Sequence, residues 1–147
     1  FQLALNGSDN YVGLINISEK YSNTKSGNLA KYYAGISHLK LGEFESAIQI
    51  LDKYNTEDKL LLSIAKAAIG DAFSELNQPQ EAIEYYNKAI RISPNKLTTP
   101  LFLIKCANLY EMEKQFNDAK ECYLKIQSNF PESSQAKNIE KYINKLN

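Results

Sequence analysis

The sequence has no tryptophan, one methionine, one histidine and two cysteines among its 147 residues. Three cysteine and histidine side chains cannot provide the four ligands of a structural zinc site of that type, so such a site is excluded. Arg91 is the only arginine beside sixteen lysines. The chain therefore has a single forked guanidinium group, the type of side chain that most often binds phosphate or carboxylate groups in a bidentate way.

The sequence also lacks an excess of either charge. Seventeen basic side chains balance seventeen acidic ones, whereas nucleic-acid-binding domains usually carry a basic excess, so we expect no nucleic-acid partner. Long apolar runs are missing as well, because the longest one, residues 60–72, is interrupted by Ser63, Lys66 and Asp71. That stretch is too short to span a bilayer, and we expect no direct membrane contact from these residues.

The sequence contains an internal repeat. Gly35, Gly70 and Ala107 are spaced by 35 and then 37 residues, and an alanine follows each of them after twelve residues. Apolar residues around these positions recur every three or four residues, which predicts helices. Turn-forming residues separate the two helices of each copy, and small residues on both helices allow a close contact. The spacing therefore predicts stacked helical hairpins.

The second copy has the clearest pattern: AAIGDAF at 67–73, QEAIEYYNKAI at 80–90 and a proline at 94. This pattern resembles the tetratricopeptide repeat. The resemblance implies an all-α, right-handed superhelix of helical hairpins that binds proteins or peptides in a concave groove, with no catalysis and no cofactor.

The register divides the chain into a single domain of five parts. We expect the short first helix of the leading hairpin to reach Asn6, a turn at 6–10, and a second helix that begins at Tyr11. Thr99 and Ser133 are predicted helix N-caps, and Pro79 is predicted in the first turn of its helix. The parts are a partial leading hairpin (1–25), repeat 1 (28–60), repeat 2 (61–96), repeat 3 (98–131) and an amphipathic capping helix (133–147).

Candidate catalytic side chains do not form a recognisable constellation. His38 occupies a repeat position that otherwise carries packing aromatics, which favours packing or a hydrogen bond over catalysis. Cys106 and Cys122 are predicted to be small buried hydrophobic residues with free thiols, and a disulfide between them stays open. An enzyme is therefore not expected.

The resemblance also places the groove on the first helix of each hairpin. In the first copy, Tyr32 and Ile36 stand where some family members carry the lysine and asparagine that bind a chaperone's carboxylate tail, which argues against that specificity. Burial of Tyr32, Ile36 and Leu39 against the preceding hairpin is the alternative. The predicted partner-binding residues are Tyr32, Ile36, Leu39, Lys40, Asp71, Ser74, Glu75, Asn108, Glu111 and Met112.

A narrower similarity concerns two connecting segments. Residues 19–30 and 129–134 are similar to linkers of bacterial envelope proteins with these repeats, namely membrane-anchored ancillary subunits of the Sec translocon and lipoproteins of outer-membrane assembly. We therefore expect a periplasmic or envelope-associated domain of a longer protein, with a membrane helix or a lipid-modified signal upstream. The alternatives are a cytoplasmic adaptor, a self-assembly module that forms a homo-oligomer, and a regulatory domain of a larger enzyme or sensor.

Overall fold

The computed structural model describes residues 2–8 and 11–146, without the side chain of Tyr11. Phe1, Asp9, Asn10 and Asn147 lie outside the described residues. Helices dominate the described chain, and each one packs mainly on its neighbours in sequence. The all-α superhelix predicted from the repeat is therefore confirmed.

Three helical hairpins form the body of the domain. Each contains a first helix and a second helix that returns along it, joined by a turn with one residue in the left-handed region, Gly42, Asn77 or Lys114. The hairpins are α3 (Lys25–Leu41) with α4 (Phe44–Asp52), α5 (Lys59–Glu75) with α6 (Pro79–Ile92), and α7 (Thr99–Met112) with α8 (Phe116–Asn129).

The N-terminal segment differs from the expectation. It contains α1 (Gln2–Asn6), β1 (Gly7–Ser8), β2 (Tyr11–Val12) and α2 (Leu14–Lys20). The sequence predicts the second helix from Tyr11, but Tyr11–Val12 pair antiparallel with Gly7–Ser8 instead. Gly7 at φ 77° reverses the chain after α1, and an extended Gly13 precedes α2. A glycine turn followed by a β-branched valine favours this short strand pair. Asp9 and Asn10 of the expected turn are outside the described residues.

The close contact between paired helices is present at the small residues. A Cβ atom added to Gly70 would lie 2.9 Å from ring carbons of Tyr86 and 3.2 Å from the carbonyl oxygen of Ala82. At Gly35, an added Cβ would lie 2.4 Å from Leu51 Cγ. Both glycines therefore let a large side chain of the second helix pack against the backbone of the first.

Helix starts agree with the sequence at Pro79, the first residue of α6, and differ at Thr99. The N-cap of α7 is Thr98, and Thr99 is the first helical residue, with its hydroxyl accepting from the Asn95 amide at 2.9 Å. The Asn95 side chain accepts from the Leu97 and Thr98 amides and so organises the turn that moves the helix start by one residue.

The capping segment at the C-terminus consists of a 3₁₀ helix followed by an α-helix. Ser133 accepts from the Ala136 amide at 3.3 Å and caps a 3₁₀ helix (Ser134–Asn138), which leads into α9 (Ile139–Lys145). Ile139 and Ile143 of α9 are buried in the core cluster that also contains residues of α5, α6, α7 and α8. Within the described part of the chain, no helix combines the length and apolar character needed to cross a bilayer.

Candidate functional site

An open cavity of about 660 Å³ lies along the C-terminal halves of the first helices α3, α5 and α7. Seven of the ten predicted groove residues line it. These residues come from three different hairpins, so the stacking of the hairpins brings them together. They are Leu39 and Lys40 on α3, Asp71, Ser74 and Glu75 on α5, and Asn108 and Met112 on α7.

The other three predicted residues do not line this cavity. Tyr32 and Ile36 are half-buried and pack on a core cluster between the first and second hairpins, and the ring centroids of Tyr32 and Tyr54 are 5.4 Å apart. The cluster contains residues of their own hairpin and of α5, so they pack toward the following hairpin and not, as the alternative above has it, against the preceding one. Glu111 is held by α8 and α9. These three side chains therefore serve contacts between helices.

Five cavity residues are not among those that the sequence predicts. The repeat gives no signal for Lys105, which follows Asp71 by 34 residues but lies two residues before the small residue of its helix, whereas Asp71 lies one residue after its own. The Tyr86 ring is part of the core, and its hydroxyl reaches Asp71 in the groove. The missed residues are Gly42, Phe44, Tyr86, Lys105 and Leu109.

Asp71 is held in the groove by two hydrogen-bond donors. The Tyr86 hydroxyl donates to Asp71 Oδ1 at 2.6 Å, and the Lys105 ammonium group binds the same oxygen. The Lys105 ammonium also lies 5.4 Å from the centroid of the Tyr86 ring. Asp71 is therefore oriented by its own hairpin and neutralised by the next one.

A second cluster of one tyrosine, one carboxylate and one lysine joins the third hairpin to α9. The Tyr123 hydroxyl donates to Glu111 Oε1 at 2.6 Å, and Lys145 binds Glu111 Oε2 at 3.1 Å, again over 34 residues. The Tyr123 hydrogen bond has the largest effect and lowers the pKa of the Glu111 carboxyl; burial opposes it, and the hydrogen bond and charge of Lys145 lower the pKa further. The Tyr123 ring stacks on Tyr142 with a centroid separation of 5.5 Å. Thus α9 packs on the third hairpin as α7 packs on the second.

The cysteine and histidine side chains that could take part in catalysis are buried, and the histidine is hydrogen-bonded. Cys106 and Cys122 are free thiols in the core, so the predicted burial is confirmed and the structure contains no bond between them. Burial raises the pKa of Cys106 to about 12 and that of Cys122 to about 11. His38 is buried, and its Nδ1 atom pairs with the Glu43 carboxylate. The described residues contain no cluster of three metal-binding side chains.

We expect the domain to lose stability at alkaline pH. Burial, followed by the hydrogen bond to a carboxylate, raises the pKa of Tyr86 and of Tyr123 above the ordinary value. The unfolded chain releases these phenolic protons near pH 10 while the folded chain retains them, so the free energy of unfolding falls as the pH rises above that value. The urea midpoint should be lower at about pH 10.5 than at about pH 8.

The control for this prediction is the Tyr86→Phe and Tyr123→Phe double variant, whose urea midpoint should fall less over the same pH range. The fall that persists in the double variant reports other groups, including the two buried cysteine thiols. An equal fall in the wild type and the double variant would show that the two hydroxyls do not cause the pH dependence.

Comparison with known proteins shows which families and proteins this chain is similar to. Family models described as the tetratricopeptide repeat match residues 64–96, 29–58 and 103–133. The chain is 29% identical to human tetratricopeptide repeat protein 29 over 116 residues, which cover 73% of this chain and 24% of that protein. It is 30% identical to the uncharacterized protein ycf37 of Guillardia theta over 117 residues, which cover 77% of this chain and 64% of that protein.

The chain thus spans about a quarter of the length of the human relative, and the macaque protein of the same name gives the same proportion, 24%. Each of the three matched segments overlaps one of the three hairpins, and together they cover more than half of the chain. The chain belongs to the tetratricopeptide repeat family, whose repeats indicate a scaffold for protein–protein interaction.

Proposed function

We propose that this domain binds a peptide or protein segment in the concave groove formed by α3, α5 and α7 and that it performs no chemistry on that segment. The observation that carries the proposal is the single cavity of about 660 Å³ that collects residues from all three hairpins. Its volume lies within the range of ligand sites in proteins.

The lining of the groove supports binding. Apolar side chains, including Leu39, Leu109 and the 67% exposed Met112, lie beside polar side chains that can form hydrogen bonds. Ser74 and Asn108 reach the same cavity. Apolar contacts would contribute affinity, and the polar groups would set the position of the ligand.

A photocrosslinking experiment tests the proposal. A benzophenone amino acid replaces Ser74 in the groove, or Glu84, which is exposed on the second helix α6 of the same hairpin. After irradiation in extract of the source cells, the Ser74 probe should give a discrete crosslinked partner that the Glu84 probe does not give. The same partner from both probes, or from Glu84 alone, would move the binding site away from the groove.

We also propose that the full-length protein is located at a bacterial cell envelope. The support is the similarity of residues 19–30 and 129–134 to linkers of envelope proteins with these repeats. Fractionation of the source cells, followed by immunodetection of the full-length protein, tests the location. We expect the protein in the periplasmic or membrane fraction, whereas recovery with cytoplasmic markers alone would contradict it.

A further inference from the structure

Another cavity, of about 400 Å³, is separate from the groove. It is lined by Lys96, in the connection between α6 and α7, and by residues 128–133, where α8 ends and the chain leads into the 3₁₀ helix. Its lining is largely apolar and includes Phe130 and Pro131. This cavity and the groove share no lining residue, so a role for it would be independent of the proposed function.

An exposed leucine adjoins this cavity. Leu97 directly follows the lining residue Lys96, and its side chain is 76% exposed, the largest value among the large apolar side chains that the structure describes. A residue that precedes a helix N-cap often packs on the fourth helical residue. Thr98 is the N-cap of α7, but Phe102, the fourth helical residue, is buried in the core and stacks on Tyr86. Leu97 therefore lacks the local contact that often covers an apolar side chain at this position.

Both segments that border the cavity are held by internal hydrogen bonds. The Asn95 side chain accepts from the Leu97 amide at 2.9 Å and from the Thr98 amide at 2.8 Å. On the other segment, the Ser133 hydroxyl donates to the Phe130 carbonyl oxygen at 2.7 Å. A surface that is already ordered loses less conformational entropy when a partner binds, so these turns favour association at this place.

The two charged side chains at the cavity have opposite signs and are not paired with each other. Lys96 and Glu132 come from the two bordering segments, and both are exposed. Within the part of the chain that the structure describes, neither has an ion-pair partner. The surface thus carries an exposed apolar side chain beside an apolar cavity, and a cation together with an anion. Two-fold contacts between copies need such self-complementarity, because each contact occurs twice with the roles exchanged.

We propose that a second copy of this chain binds at this surface and forms a two-fold symmetric dimer. Leu97 of each copy enters the cavity of the other copy and packs on Phe130 and Pro131. Lys96 of each copy pairs with Glu132 of the other. The apolar contact provides most of the affinity, and the two ion pairs fix the relative orientation of the copies.

Sedimentation equilibrium over a range of protein concentrations tests the dimer. We expect the mass of the wild type to rise with concentration toward that of two chains. Leu97→Asp should raise the dimer dissociation constant about tenfold or more, because the dimer contains the substitution twice. The matched control is Leu60→Asp, since Leu60 also lies ten residues before the small residue of its helix and is 39% exposed, but does not adjoin this cavity. Its dissociation constant should stay close to that of the wild type, and thermal melting checks that both variants are folded.

Charge reversal tests the pairing of Lys96 with Glu132. Lys96→Glu alone and Glu132→Lys alone each place like charges in both contacts, so each variant should dimerise about threefold or more weakly than the wild type. An equimolar mixture of the two single variants should regain the affinity, because both contacts between unlike variants then join opposite charges. The double variant should dimerise with itself and pair poorly with the wild type.

Three outcomes would overturn the inference. A wild-type mass equal to that of one chain at every concentration would show that no second copy binds. An unchanged dissociation constant for Leu97→Asp, or an equal rise for Leu60→Asp, would place self-association on another surface. Failure of the mixed single variants to regain affinity would contradict the two-fold arrangement. The groove is tested separately by crosslinking through Ser74, so its function could stand or fall without the dimer.

Discussion

Replacement of Ala82 by leucine should lower the free energy of unfolding by about 1–3 kcal/mol or more. Ala82 is fully buried, and its carbonyl oxygen lies 3.2 Å from the position that a Cβ atom on Gly70 would occupy. The added isopropyl group would have to enter this contact between α5 and α6. Because the leucine side chain does not fit into this contact, α5 and α6 must move apart or the side chain must adopt a strained conformation.

Glu84→Leu is the matched control, because Glu84 lies on the same helix with an exposed side chain. We expect its free energy of unfolding to stay within about 0.5 kcal/mol of the wild type. Urea unfolding followed by circular dichroism measures both variants. Equal losses of stability in the two variants would contradict the helix contact at Ala82.

Tyr86→Ala should have the larger effect, a loss of about 3–5 kcal/mol in the free energy of unfolding. The Tyr86 side chain is 3% exposed, and its ring stacks with Phe102 at a centroid distance of 6.5 Å. It thus fills the space between the second and third hairpins. Its hydroxyl is also the donor that orients Asp71 in the groove. Truncation would leave a cavity and would remove one of the two donors that bind the Asp71 carboxylate.

Tyr86→Phe separates the two contributions of this residue. Phenylalanine keeps the ring and removes the hydrogen bond, and we expect a loss of about 1 kcal/mol, since Asp71 is partly exposed and can be solvated. The difference between the alanine and phenylalanine variants measures ring packing. If both variants lost the same stability in urea unfolding, the ring would not fill the space between the hairpins.

The repeat spacing made the hairpins and most of the groove predictable. A small residue that recurs at Gly35, Gly70 and Ala107 sets which side of each first helix faces the second helix. The remaining sides follow from helical geometry, which is why Lys40, Glu75 and other lining residues fall at the predicted offsets.

The repeat spacing does not predict the surface to which some residues belong, nor the N-terminal strand pair. Tyr32 and Ile36 lie on the border between the groove and the hairpin interface, and the neighbouring hairpin decides which surface they join. Lys105 enters the groove only because its long side chain reaches Asp71 on another hairpin. The strand pair near the N-terminus involves two residues on each side, too few for a periodic pattern.

The Asp71–Lys105 pair has a mechanical consequence for the groove. It connects α5 to α7 across the concave surface, so any bending that widens the groove must stretch it. Such a tie resists bending most at low salt, because ions screen a partly exposed pair. Lower ionic strength should therefore strengthen this one contact between α5 and α7, whereas the packing of both helices on α6 is insensitive to salt.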